Sequence, residues 1–304
     1  MKPLSFIIIT YNRPQEMLEL AKNIAGLENA AELLEEVIIL NNASTSDYSG
    51  VKAYLETQPN IPFRYLESSS NLGVARGRNH AIAQGSAPLI IMLDDDAELQ
   101  NADCLRNLVQ LFNILDGGRP RAIVSFKVLY FENLQMQKNA LPHKNYDAYK
   151  DKHEFLTYYF AGGAHAIRRP VLEKVGYYPE DFFYGMEEYD LGFRILDAGY
   201  SIMYSDKVVM LHKESPLGRT TKKEKLRMMW LNKSKVAWRY LPKRYFWSTA
   251  ILWSGEYLLK TGFDLSGWSK GWKDTLAIPG SEKHTPLNEN TMKYLHDTKA
   301  RLFY

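Results

Sequence analysis

The sequence predicts an α/β fold: a mostly parallel sheet flanked by helices, followed by a mainly helical, basic, tryptophan-rich C-terminal extension. Three observations carry this expectation. Short apolar runs of strand length alternate with helical periodicity through the first 130 residues. Several of those runs end abruptly in polar clusters. Charge is divided along the chain: residues 216–304 hold 17 Lys and Arg against 7 Asp and Glu, a net +10 that leaves −7 for the first 215 within an overall +3. All six tryptophans, Trp230, Trp238, Trp247, Trp253, Trp268 and Trp272, lie in the basic part. A division into 1–215 and 216–304 is therefore expected, with the first region formed of halves of about 1–100 and 101–215.

Residues 4–9 read as the first strand, and Pro14 opens a helix whose apolar stripe is Met17, Leu18, Ala21, Ile24 and Ala25. Residues 37–40 give a second strand, 48–55 a helix, 63–66 a third strand, 75–84 a helix and 89–93 a fourth strand. This alternation argues for a parallel sheet covered on both faces. Residues 158–176 suggest a strand, a kink at Gly162-Gly163 and a short helix from Pro170. Residues 185–199 suggest a helix with Leu191, Ile195 and Ala198 on one face and Glu187, Glu188 and Asp190 in its first turn. Carboxylates there are favourable with the helix dipole, so capping competes with catalysis as their purpose. Residues 201–215 read as two short strands, the second ending at His212. In the extension, 219–240 has a helical pattern ended by Pro242, then an amphipathic stretch and a Gly- and Trp-rich segment.

Composition narrows the function. Cys104 is the lone cysteine, which rules out an intrachain disulfide and a cysteine-built zinc site and points to a reducing compartment, hence the cytoplasm. The opening apolar run is too brief for a signal peptide, and no segment reaches eighteen uninterrupted apolar residues, so no transmembrane helix is expected.

The stretch PLIIMLDDDAEL, residues 88–99, places Asp94, Asp95 and Asp96 directly after a core strand. Two such charges about 5 Å apart repel by about 3 kcal/mol at an effective dielectric near 20. A solvated turn would relieve this, and so would a divalent cation, which prefers hard oxygen ligands. In open α/β sheets ligands bind beyond the carboxyl ends of the strands. Here the first strand ends in Thr10-Tyr11-Asn12, the second in Asn41-Asn42-Ala43-Ser44 and the fourth in the three aspartates, a convergence that favours a binding site.

Taken in order, IIITYNRP, ILNNAST, NLGVARGRNHAI, MLDDDAEL, FAGGAHAIRR, GMEEYDLGFRILDAGY and VVMLHKES resemble the family 2 glycosyltransferases over roughly residues 3–215. The resemblance implies the GT-A fold, a Rossmann-like mostly parallel sheet, and an enzyme dependent on a nucleoside-diphosphate sugar. It implies that Thr10, Tyr11 and Arg13 line the nucleobase pocket, with Asn42 beside the base or ribose where many relatives carry aspartate. Asn71, Gly73, Arg78 and Asn79 would hold the ribose and diphosphate region. Asp94 would contact the nucleotide and Asp96 would reach Mg²⁺ or Mn²⁺, with Asp95 completing the shell through water or facing solvent. His212 would approach the same metal, and its imidazole tips the choice towards Mn²⁺. The general base is expected at Glu188, one methylene longer than the usual aspartate, with Glu187 as the substitute. The implied reaction is inverting transfer to a hydroxyl of a glycan or lipid-linked acceptor.

For the extension, basic residues interleaved with aromatic ones suit an anionic membrane surface, which would make the protein peripheral on the inner face of the cell membrane. Packing of the tryptophans against the first region, with the lysines solvated, accounts for the same pattern. No nucleic-acid module accompanies the charge. A sugar-nucleotide nucleotidyltransferase would need a Gly-rich phosphate loop after the first strand, and TYNRPQEM has no glycine. A catalytically silent carbohydrate- or membrane-binding protein would have no need of Asp94, Asp96, Glu188 and His212 together.

Overall fold

The computed structural model describes residues 1–214 and 222–303. The expected junction at 215, and residues 219–221 at the expected start of the first extension helix, lie outside the described residues. The chain begins β1 (Leu4–Thr10), α1 (Pro14–Ala25), α2 (Ala30–Leu33), β2 (Leu34–Asn41), α3 (Ser49–Glu56), β3 (Phe63–Glu67), α4 (Gly73–Ile82) and β4 (Leu89–Asp94). It continues β5 (Ala97–Leu99), α5 (Cys104–Phe112), β6 (Leu115–Asp116), β7 (Arg119–Tyr130), α6 (Tyr146–Tyr149), β8 (Glu154–Thr157), β9 (Ala164–Arg168), α7 (Arg169–Val175), α8 (Glu187–Asp197) and β10 (Ser201–His212). Four extension helices follow: α9 (Lys222–Tyr240), α10 (Lys243–Thr261), α11 (Leu265–Ser281) and α12 (Glu289–Asp297).

The sheet runs β3-β2-β1-β4-β9-β7-β10-β5, with β8 on β10 and β6 on β7. Strands β1 to β4 pair in parallel, as do β7 and β10. Strand β9 runs against both its neighbours, β4 and β7. That reversal positions the site. Leu93 pairs with Ala164, Ile9 with Asp94 and Thr10 with Asn41, so the start of β9 and the ends of β1, β2 and β4 share one edge. The period-2 alternation of a strand divides β1 between two cores. Leu4, Phe6 and Ile8 pack with Met17 and Leu20 of α1 and Leu105 of α5, while Ile7 packs on the other face with Ala81 of α4 and Leu191 of α8.

Three local readings of the sequence are corrected. Residues 201–212 form one strand rather than two, with a register break between Ser205 and Val209 that absorbs the polar Ser-Asp-Lys interruption. Residues 158–160 are not a strand; the strand of that region begins after the glycine pair. Strand β7 has no counterpart among the runs read from sequence, because buried Arg121 and Ser125 interrupt its apolar pattern. Arg121 is neutralised by Asp116 at 2.7 Å.

The extension is built into the body of the protein. Val236, Trp238, Phe246, Ile278, Leu295 and Leu302 share a core with Ile195 of α8 and Ile202 of β10. Trp230, Trp253 and Tyr257 form a separate cluster, against which half-buried Trp268 and Trp272 pack. Trp247 remains 46% exposed. Among the described residues, no helix is long and apolar enough to cross a membrane.

Candidate active site

The three carboxylates after β4 diverge, and each meets a different partner. Asp95 and Asp96 are buried, while the side chain of Asp94 is 45% exposed. Arg13, at the start of α1, donates from Nη1 to Asp95 at 2.7 Å and stands 3.1 Å from Asp96. The backbone N–H of Tyr11 also donates to Asp95 at 3.4 Å. Parallel pairing of β1 with β4 brings Arg13 there across 82 positions of sequence. Much of the charge repulsion is therefore offset inside the protein, by an arginine expected at the nucleobase. Asp95 is turned inward on Arg13 rather than towards solvent. Burial pushes its carboxyl up to about 7, with Arg13 opposing the rise and the charge of Asp96 adding to it.

Asp94, Asp96 and His212 present ligand atoms that all lie within 4.8 Å of one another. His212 Nε2 is 3.3 Å from Asp96, and Nδ1 is 3.0 Å from Oε1 of Gln137. An amide oxygen can only accept, so Nδ1 carries a proton, and Nε2 faces the carboxylates, where it donates to Asp96 when protonated and offers its lone pair to a cation when deprotonated. Burial lowers the imidazole pKa, but the hydrogen bond to Asp96 and the charges of Asp94 and Asp96 outweigh it and hold it above its ordinary value. The cluster draws positive charge, and its two carboxylates plus one imidazole form a donor set that fits Mn²⁺ or Mg²⁺, the nitrogen suiting manganese better.

Gly162 and Gly163 explain how the acids approach one another. A Cβ at 162 would overlap the Glu188 carboxylate, and one at 163 would overlap that of Asp94. Between the acids lies Arg78 of α4, buried, with Nη2 3.9 Å from Asp94 and Nη1 3.4 Å from Glu187 and 3.6 Å from Glu188. Glu187 is buried behind this arginine, with Oε2 lacking a hydrogen-bond partner among the described residues. Glu188 keeps 18% of its side chain exposed. Burial raises the Glu188 carboxyl to about 8, the charge of Glu187 adds, and Arg78 opposes.

Helix α8 is entered through strained backbone. Gly185 and Met186 both adopt left-handed φ values, +80° and +74°, the second at a cost of order 1 kcal/mol for a non-glycine residue. Asn232 of α9 holds this entry, donating to the carbonyls of Tyr184 at 3.0 Å and Gly185 at 2.9 Å. Asp190, almost fully buried, accepts from Arg194, and from Arg239 and Tyr240 of α9 at 2.9 Å each. Its place in the first turn of α8 thus serves to join the extension to the helix that carries the glutamates.

A cavity of about 880 Å³ opens over this edge. Tyr11, Arg13, Asn42, Asn71, Gly73, Arg78, Asp94, Asp95, Asp96 and His212 line it. Thr10 does not; its hydroxyl is buried against Tyr48 at 2.6 Å. Asn79 does not either, since its amide clasps the backbone of Tyr178 in both directions. Asn42 donates to Asn71 at 3.1 Å and accepts from the N–H of Leu72 at 2.9 Å. An aspartate there could not make the first bond, which gives a physical reason for the amide. Phe183, Tyr184, Glu214 and Lys225 also line it, and none was singled out from sequence. Gln137, which orients His212, was also missed, because a single glutamine in a polar loop has no signature.

The family model described as Glycosyl transferase family 2 matches residues 5–176. An "Uncharacterized glycosyltransferase YwdF" of Bacillus subtilis is 25% identical over 190 residues, 59% of this chain and 62% of that protein. Among solved structures, the mannosyltransferase PcManGT of Pyrobaculum calidifontis in complex with GDP-Man and Mn²⁺ superposes with a TM-score of 0.61 at 20% identity. The match covers all of this chain and 81% of that one. TarS 1-349 of S. aureus in complex with UDP-GlcNAc gives 0.62 at 14% identity, covering 98% and 87%.

Proposed function

The chain belongs to glycosyl transferase family 2, and from that premise we propose that it transfers a sugar, with inversion, from a nucleoside-diphosphate donor to a hydroxyl of a glycan or lipid-linked acceptor. The observation that carries this reading is the meeting at one sheet edge of the Asp94, Asp96 and His212 cluster with Glu188, through Gly162-Gly163 and Arg78.

Glu188 is the base. It is the more accessible of the two glutamates, and its raised pKa suits proton abstraction near neutrality. It takes the acceptor proton as the oxygen attacks the anomeric carbon from the side opposite the diphosphate. Arg78 keeps Glu187 and Glu188 compatible in one small volume and holds Asp94 near them. Asp94, Asp96 and His212 would hold Mn²⁺ or Mg²⁺, which when bound supplies positive charge to the departing diphosphate. Tyr11, Asn42, Asn71 and Gly73 all line the cavity, and on this reading Tyr11 and Asn42 would contact the base or ribose and Asn71 and Gly73 the ribose and diphosphate.

The exposed surface of the extension supports a membrane-linked acceptor. Trp247, Ile251, Leu252 and Leu259 of α10 are exposed, as are Phe263 and Leu265 just beyond it. Exposed Lys243, Arg244, Lys260, Lys270 and Lys273 lie on the same two helices. Exposed apolar and basic side chains carried together on α10 and α11 are complementary to anionic lipid, where a lipid-linked acceptor would be found.

The test of the donor reading is a thermal-shift panel of UDP, GDP, dTDP and CDP, each with Mn²⁺ and with EDTA. A ligand that binds only the native state raises its midpoint by mass action. One nucleotide raising it with Mn²⁺ alone is the expected result. No response from any of the four would overturn the reading.

A further inference from the structure

A buried amide stands behind the acidic cluster. Gln137, in the loop after β7, is 6% exposed and its side chain is bonded at both ends. Resting on the metal reading above, we propose that Gln137 is a positioning residue that commits His212 to meet a cation through Nε2, and so makes the site prefer Mn²⁺ over Mg²⁺. The orientation of the amide is decided at its far end. There Nε2 donates to Oε1 of Glu214 at 2.6 Å, and an ionised carboxylate can only accept. Turning the amide over would set oxygen against oxygen at that distance. Oε1 is therefore the atom presented to His212, and it accepts from Nδ1 at 3.0 Å. A neutral imidazole carries a single proton. With that proton held at Nδ1, the lone pair stays on Nε2, the nitrogen 3.3 Å from Asp96. Without the amide, the neutral ring is free to carry its proton on Nε2 and donate to Asp96, which closes that nitrogen to a cation.

The backbone of His212 is already fixed from two sides. It pairs with Tyr130 of β7 and with Ala97 of β5. Its carbonyl accepts from the N–H of Phe131 at 3.1 Å, and the N–H of Lys213 donates to the carbonyl of Asp96 at 3.0 Å. None of these bonds sets the rotation or the tautomer of the ring. Gln137 does, and the chain delivers it by doubling back along β7. The N–H of Tyr130 donates to the carbonyl of Gln135 at 2.9 Å, Leu129 bridges to Met136, and the N–H of Gln137 donates to the carbonyl of Val128 at 2.9 Å. Val128 stands two residues before Tyr130, the partner of His212, so the amide arrives level with the imidazole. The preference between metals then follows from ligand type. Mg²⁺ takes oxygen ligands and keeps several waters, so two aspartates serve it nearly as well without the ring. An imidazole nitrogen adds more to Mn²⁺. Gln137 thus acts on the difference between the metals, and Asp94 and Asp96 on the affinity for either.

The experiment titrates Mn²⁺ and Mg²⁺ calorimetrically into the full chain, alone and with each of UDP, GDP, dTDP and CDP, and reads the ratio of the two affinities. Gln137→Met fills the same space without a hydrogen bond, and should lower the ratio of Mn²⁺ to Mg²⁺ affinity by about tenfold or more, the scale of a partner lost from behind a metal ligand. Gln137→Glu still offers an oxygen to Nδ1 and should recover most of that loss. Glu214→Ala frees the far end of the amide at an exposed position, where the fold is not at stake, and should lower the ratio by a smaller factor. In a His212→Ala background, Gln137→Met should leave both affinities unchanged within about twofold, because its effect passes through the ring. An unchanged ratio in Gln137→Met would overturn the proposal, whether both affinities hold or both fall together, as would an equal effect with and without His212. Should Gln137→Met fail to fold, an unchanged ratio in Glu214→Ala would overturn it instead. Wild type that binds neither metal under any of these conditions would overturn the metal reading beneath it.

Discussion

Replacing Glu188 by glutamine should stabilise the protein while disabling it. The carboxyl sits beside Glu187 in a nearly dry site, and its pKa of about 8 lies above the ordinary value of 4.5. Between those two pH values the folded chain binds more protons than the unfolded one, so wild-type stability falls as pH rises through that window. Below about 4.5 the carboxyl is neutral in both states and glutamine changes little. Above about 8 the full penalty applies to the wild type alone. A difference of that size corresponds to about 5 kcal/mol at 1.36 kcal/mol per unit. The 18% of the side chain open to water, and relaxation around Arg78, bring the expected gain to about 2 kcal/mol. For a chain of this length that is a midpoint rise of roughly 3–6 °C. Thermal unfolding in EDTA from pH 4 to 9 should show the two curves meeting at low pH and separating as pH rises. Turnover should fall by about 10² or more, the scale of a general base, with Mn²⁺-dependent nucleotide binding kept. A variant that is less stable than wild type at pH 8.5, or that retains turnover, would refute the reasoning; loss of turnover in Glu187→Gln instead would move the base by one residue.

Gly163→Ala should leave the fold intact, because the Cβ meets the half-exposed side chain of Asp94, but displacing that carboxylate should weaken Mn²⁺-dependent nucleotide binding more than tenfold by calorimetry. Asp190→Ala leaves Arg194 and Arg239 facing a site without its charge, and should cost about 2–4 kcal/mol in urea unfolding. Replacing Trp247 and Leu259 by glutamate should reduce co-sedimentation with vesicles containing anionic lipid at least fivefold, with nucleotide binding unchanged; unchanged sedimentation would leave the exposed face without a lipid partner.

Strands β1, β2 and β4 were legible because each contains an apolar run, residues 6–9, 37–40 and 89–93, that ends in polar residues, and their parallel pairing followed from the helices between them. The meeting of Asp94, Asp96 and His212 could be expected once the order of motifs was recognised. Less legible were relations that depend on register between distant elements. Nothing near Arg13 in sequence indicates that it faces Asp95, and nothing near Asp190 indicates Arg239 or Tyr240. The tryptophans gave a composition but no orientation: Trp230, Trp238 and Trp253 are buried, whereas Trp247 faces outward. Lys225 lies in a basic helix whose sequence carries no signature placing it at the cavity wall.

The shared core also has a consequence for how the protein is made. Tyr294, in the last helix, donates to the carbonyl of Thr157 at 3.0 Å, and Leu295 beside it is completely buried with residues of β10 and α8. A ribosome delivers the chain from its N-terminus, so the sheet emerges well before the residues that cover one of its faces. Until residues near 302 have left the exit tunnel, apolar surface around Ile195 and Ile202 stays open to water and to other nascent chains. A message truncated anywhere in the extension would release a polypeptide that has every residue of its acidic cluster and still lacks the means to finish folding.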